Sequence, residues 1–147
     1  MNKNNYNEFI KGLELKNIRL KNIESKLRSP HPPEGQLKVE QKMFSEFEIE
    51  ETLLRAVVSI ILSFKDTKTR RIMAKIKLSL YLEYIFNTVP TDETLQIFKE
   101  TSLLVNAWPY LRFWIQTLTQ SFGWPPLVMP LLKVVPDKTQ KAEEKKS

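Results

Sequence analysis

Apolar and polar residues alternate through much of the first 86 positions, and beyond residue 90 the spacing lengthens to three and four. The plainest alternation puts Ile72, Ala74, Ile76, Leu78, Leu80, Leu82, Tyr84 and Phe86 on one side. Arg71, Lys75, Lys77, Ser79 and Glu83 fall mostly on the other. A period of two over that length predicts a strand of about fifteen residues, well above the usual five or six. Residues 53–64 repeat the pattern, with Leu54, Ala56, Val58, Ile60, Leu62 and Phe64 opposed by Arg55, Ser59 and Ser63. Their β-branched content favours a strand, and a helix over residues 49–64 is the competing assignment. Leu37, Val39, Gln41 and Met43 predict a strand to about Ser45, before an acidic segment at 46–51. From Phe9 the alternation runs Phe9, Lys11, Leu13, Leu15, then changes phase at Ile18 and Leu20. A bulge near Lys16 and Asn17 would re-aim the side chains and keep one long strand. Residues 29–35, SPHPPEG, form a turn-rich connector that no strand can cross, and residues 65–70 form a polar hairpin connection.

The helical part begins at Thr91, a cap followed by Asp92 and Glu93 in the first turn. Leu95, Phe98 and Ser102 mark one side of a short helix to about Val105. Asn106 is read as the cap of a second helix, with Pro109 in its first turn and a stripe of Trp108, Leu111, Ile115, Leu118 and Phe122. Gly123 supplies a left-handed residue to end it. Residues 124–132 stay apolar but carry Pro125, Pro126 and Pro130, so they suit neither a helix nor a central strand. An apolar loop needs a partner. Strands first and helices last predict an α+β fold, a four-stranded antiparallel sheet with C-terminal helices packed on one face. The domain is expected over residues 9–135, between a disordered, polar, frayed tail at 1–8 and a disordered charged tail at 136–147.

Composition narrows what such a domain can do. The 147 residues are 41% hydrophobic and 27% charged, which suits one soluble globular domain. No cysteine is present, so there is no thiol nucleophile, thiolate ligand or disulfide, and a cytoplasmic location is expected. No signal-like or membrane-spanning run of about 18 apolar residues occurs. The sole histidine, His31, lies between two prolines with no nucleophile or carboxylate motif attached. Gly12, Gly35 and Gly123 are the only glycines, so a glycine-rich phosphate loop is excluded. The acidic residues 46–51 lack the spacing of a calcium loop. These absences point away from an enzyme and from any cofactor or metal. The net charge of +6 is spread among many glutamates. Arg55, Lys75 and Lys77 would give a basic sheet face, but Tyr81 and Tyr84 fall on opposite faces and make no stacking platform, so nucleic acid is not expected.

The stretch Ala107, Trp108, Pro109, Tyr110, Leu111, Arg112, then Leu118 and Thr119, and after Gly123 the run Trp124, Pro125, Pro126, Leu127, resembles the SecB-like chaperones. In that family a helix opening on Pro-Tyr ends at a glycine, and an apolar loop returns across a four-stranded sheet; the likeness spans residues 8–132. It implies an ATP-independent holdase, a homo-oligomer (dimer of dimers) that binds unfolded or nascent polypeptides in apolar grooves. Carried over by position, the client groove would involve Phe113, Trp114, Trp124, Leu127, Val128 and Met129, while Trp108, Leu111 and Leu118 serve packing. Met129 adds an adaptable thioether, and the prolines hold the loop open without an ordering cost. Export-dedicated members are acidic and end in a further helix, whereas this chain is basic and closes on PDKTQKAEEKKS. The acidic positions that would dock the export motor SecA fall on Asn17, Lys21 and Lys75, where like charge weakens the contact. Some members of the family instead serve a cognate antitoxin and are often less acidic, so the resemblance leaves the client open between a preprotein and an antitoxin. Two other classes fit the residues, an adaptor taking one partner or peptide by strand addition and a carrier with an apolar small-molecule cavity.

Overall fold

A computed structural model of the chain describes residues 3–124. In order they form α1 (Lys3–Lys11), β1 (Glu14–Leu27), β2 (Leu37–Glu50), β3 (Leu53–Asp66), β4 (Ile72–Ile85), α2 (Asp92–Glu100) and α3 (Ser102–Ser121). The strands make one antiparallel sheet in the order β1-β4-β3-β2.

The alternating residues of β3 and β4 explain the layering. Leu54 lies opposite Tyr84, Ala56 opposite Leu82, Val58 opposite Leu80 and Ile60 opposite Leu78, so both strands turn one apolar face the same way. These residues are buried beneath the helices. Phe98 of α2 is the hub of the contact, with ring centroids 5.2 Å from Tyr84, 5.6 Å from Phe9 and 6.2 Å from Phe47. Trp108, Leu111 and Ile115 are buried along α3, and Leu118 and Phe122 pack against the same core, so the predicted stripe is architecture. Among the described residues no helix covers the sheet's other face, toward which Arg55, Lys75, Lys77 and Glu83 point.

Because β1 pairs with β4, the connector from β1 to β2 must cross the end of the sheet. The β3 end ties it down. Asp66, 1% exposed, accepts from the backbone N–H of Glu34 at 2.8 Å and of Gly35 at 3.0 Å. It also takes the N–H of Lys68 at 2.9 Å, and Thr67 donates to the Gln36 carbonyl. The Glu34 bond comes first in holding the Asp66 carboxyl below its ordinary range; burial opposes it, and the Lys68 and Gly35 bonds add to the lowering. Gly35 fits because a Cβ there would stand 2.9 Å from the Lys68 Cβ and 3.0 Å from an Asp66 oxygen.

Several expectations hold. The register of β1 against β4 shifts between Leu15 and Asn17, where the phase change required a bulge, and again between Leu20 and Asn22. Residues 53–64 are strand, not helix. Thr91 caps α2, accepting the Thr94 N–H at 3.1 Å. Gly123 has φ 80° just past the end of α3.

Others are corrected. Lys3–Lys11 is helical, where alternation from Phe9 predicts a strand and a frayed tail before it. Tyr6, Phe9, Ile10 and Leu13 recur at helical spacing and all reach the core, so period 3.6 outweighs the shorter alternation. Strand β2 continues through the acidic segment to Glu50, because Phe47 and Ile49 keep the alternation that the glutamates disguise. The second helix starts at Ser102, so Asn106 is no cap and Pro109 lies inside α3. The break falls at Thr101 (φ −124°, ψ −93°), whose hydroxyl donates to the Ile97 carbonyl at 2.7 Å and accepts from the Tyr6 hydroxyl at 3.1 Å.

Candidate functional site

The helices do not cover the whole apolar face of the sheet. Along β1 the residues that share the core side, Leu15, Leu20 and Leu27, stand 38%, 44% and 40% exposed. Ile18 and Ile23, between them, pack against the core's margin. Beside this row, Ile10, Leu13, Leu15, Tyr84, Phe98, Ser102 and Asn106 line a cleft of about 280 Å³ between α1, α3 and the sheet. Its floor is fixed by Asn106, whose side-chain amide donates to the Tyr84 hydroxyl at 2.9 Å. Burial pushes the Tyr84 phenol up to about 12, and the Asn106 bond offsets only part of that. Tyr84 is therefore a neutral, hydrogen-bonded part of the wall.

Helix α3 carries a second uncovered apolar surface. Val105, Tyr110 and Phe113 point outward, with Phe113 60% exposed. Phe113 meets Trp114 edge to face at 5.4 Å, and Trp114 turns partly into the core. Large rings left in water cost free energy unless something covers them, and patches of this kind mark binding surfaces.

The residues expected to hold a client are thus divided. Phe113 and Trp114 lie together on α3. Trp124 is 8% exposed and packs on Phe64 at 5.5 Å and Phe122 at 4.9 Å, facing the connector across a cleft shared with Pro30, His31 and Pro32. That makes Trp124 part of the core's end within residues 3–124. Leu127, Val128 and Met129 lie outside the described residues. Sequence reasoning missed the β1 row and the cleft. The available signal was the mixture of charge and leucine in β1, which fits an edge strand with one face half covered. Among the described residues no cluster of His, Asp and Glu could hold a metal ion, and no helix is long and apolar enough to cross a membrane.

A four-stranded sheet of this order under a broken C-terminal helix has a close structural counterpart. A SecB-like chaperone of Mycobacterium tuberculosis, Rv1957, solved with a ChAD peptide from the HigA1 antitoxin, superposes with a TM-score of 0.80. The match covers 88% of this chain and 97% of that one at 16% identity. The chain has the SecB-like fold. A protein of unknown function from Streptococcus agalactiae matches far more loosely, at a TM-score of 0.45 and 10% identity over 80% of this chain and 96% of that chain. No family model matches the sequence, and no curated protein does. At 16% identity the SecB-like likeness is one of fold.

Proposed function

We propose that the chain is an ATP-independent holdase that keeps unfolded or nascent polypeptides soluble by covering their apolar segments. The observation that carries this reading is the pair of uncovered apolar surfaces, the β1 row with its cleft and the outer face of α3, on a SecB-like fold. The M. tuberculosis counterpart bound to an antitoxin peptide supports a polypeptide client. The reading is of a cytoplasmic homo-oligomer, a dimer of dimers, with Phe113, Trp114, Trp124, Leu127, Val128 and Met129 as the residues that contact the client. An antitoxin is the preferred client over an exported preprotein. Asn17, Lys21 and Lys75, which replace the acidic positions expected to dock SecA, are associated with the open sheet face, where Lys21 lies over Tyr81.

The test is suppression of aggregation of a chemically unfolded protein without ATP. The wild-type chain at equimolar amounts or less should hold light scattering down. Phe113→Ala should weaken the effect several-fold, and because the ring lies mostly in water it should change stability by less than about 0.5 kcal/mol. Unaltered aggregation at several-fold excess of the wild type would sink the reading. Peptide addition to an edge strand, the adaptor alternative, finds support in β1 and β2, each 14 residues long and unpaired on its outer side among the described residues. It would show as tight binding of one peptide with no general effect on aggregation.

A further inference from the structure

Strand β2 leaves one edge of the sheet unpaired among the described residues. Its 14 residues pair with β3 from Leu37 opposite Asp66 to Glu50 opposite Leu53 without a register shift, whereas β1 is shifted twice against β4. A flat edge of that length is a template for another strand. The Thr67 N–H donates to the Gln36 carbonyl at 2.9 Å just before the pairing begins, so even-numbered residues of β2 turn their backbone groups to β3. Val39, Gln41, Met43, Ser45, Phe47 and Ile49 therefore turn theirs outward. The even-numbered side chains have an ordered charge pattern, with Lys38, Glu40 and Lys42 before the exposed Phe44 and Glu46, Glu48 and Glu50 after it. Most of these charges find nothing on β3 to neutralise them. Lys38 lies opposite Lys65, Lys42 opposite Ile61, Glu46 opposite Val57 and Glu50 opposite Leu53. Glu48 alone has a cation opposite, Arg55, and pairs with it at 3.5 Å. Among the described residues Lys38, Lys42, Glu46 and Glu50 form no ion pair.

We infer that β2 pairs antiparallel with β2 of a second copy of the chain, about a two-fold axis at Phe44, joining the two sheets edge to edge. In that register Lys42 lies opposite the second copy's Glu46 and Lys38 opposite its Glu50. The two-fold makes each contact twice, and the two Phe44 rings meet on the axis. The outward backbone groups bond in the pairs Met43 with Ser45, Gln41 with Phe47 and Val39 with Ile49. That leaves the charged pairs at the closer positions, between the hydrogen-bonded ones. Glu40 falls opposite Glu48, whose charge Arg55 already offsets. Sliding the strand by two residues either way leaves one kind of Lys–Glu pairing in place of two, so charge selects the register. On the helix side a cleft of about 190 Å³, bordered by Met43, Ser45, Lys99, Glu100 and Leu104, opens beside the axis. The second copy's Met43, opposite the small Ser45, has room there. This names one interface of the homo-oligomer proposed above and rests on that part of the reading, while holdase activity is measured separately.

The chain has no cysteine, so an introduced one reports contact between copies without background. Under mild oxidation Phe44→Cys should give a covalent dimer on a non-reducing gel, since the pairing brings the two Cα atoms within disulfide reach. Glu40→Cys, also exposed and on the same edge, should give none by itself but should cross-link when mixed with Glu48→Cys. Charge reversal tests the register in solution. By analytical ultracentrifugation the double variants Lys38→Glu, Lys42→Glu and Glu46→Lys, Glu50→Lys should each lose at least tenfold in self-association, and mixing the two should restore it. A circular dichroism melt of each variant establishes that it is folded. Cross-linking of Glu40→Cys alone as fast as Phe44→Cys, no cross-link in Phe44→Cys, or no recovery on mixing would each overturn the inference. If Phe44→Cys cross-links while the wild type leaves aggregation unaltered, the holdase reading fails and the pairing stands.

Discussion

Two carboxylates, Asp66 buried and Glu83 partly so, show how single residues hold this fold. Asp66 takes three backbone N–H groups with its two oxygens, so an amide in its place would turn an NH2 toward a donor. Glu83, bridging Arg19 and Arg55, is likewise held below its ordinary range; burial, the largest influence, pulls upward, but the Arg55 hydrogen bond and the two positive charges outweigh it. Both carboxylates have folded values below their unfolded ones. Their contribution is therefore complete above the unfolded values and is lost as pH falls through the folded ones. Urea titrations should show stability dropping below about pH 4, and Asp66→Asn should lower the neutral plateau while flattening that drop. An unchanged acid slope in Asp66→Asn would show that the connector does not depend on its charge. Tyr84 acts at the other end. Its raised value makes stability decline as pH climbs from about 10 toward 12.

Among the elements, the connector between β1 and β2 has the most specific requirement. Gly35 passes so close to Asp66 and Lys68 that a methyl group forces one of them to move. Gly35→Ala should cost about 1–3 kcal/mol, read from the urea midpoint, with the m-value unchanged. No loss would mean that the connector shifts freely. The sequence reading succeeded on elements whose pattern is set by burial on one side. Strands β3 and β4, the β1 bulge, the Thr91 cap and the Gly123 stop were all legible, because each follows from local spacing or backbone chemistry. Where it failed, tertiary contact decided the outcome. Helix α1 is polar in nine residues of KNNYNEFIK save for three, and it forms because Phe9 finds Phe86 and Phe98 while Tyr6 reaches Thr101 and Ser102. The Asn106 cap gave way to a long-range bond with Tyr84, and Pro109 is carried within a helix held by Leu103, Ala107 and Leu111.

At the scale of the whole molecule, one sheet separates two surfaces of opposite character. The helix side leaves apolar rows at β1 and α3, while the other side carries the charges of Arg19, Arg55, Lys75, Lys77 and Glu83. The family likeness made the fold readable in advance. It gave no hint of the β1 row, whose exposure depends on where the helices stop. The central claim is that unfolded polypeptide is held on those apolar rows. Hydrogen–deuterium exchange of the full chain, with and without a permanently unfolded protein such as a reduced and carboxymethylated one, tests it directly. Exchange should slow along Glu14–Leu27 and in the outer half of Ser102–Ser121, and stay unchanged in β3 at the centre of the sheet. Protection absent from both segments, or the same protection with the folded form of that protein, would contradict the account.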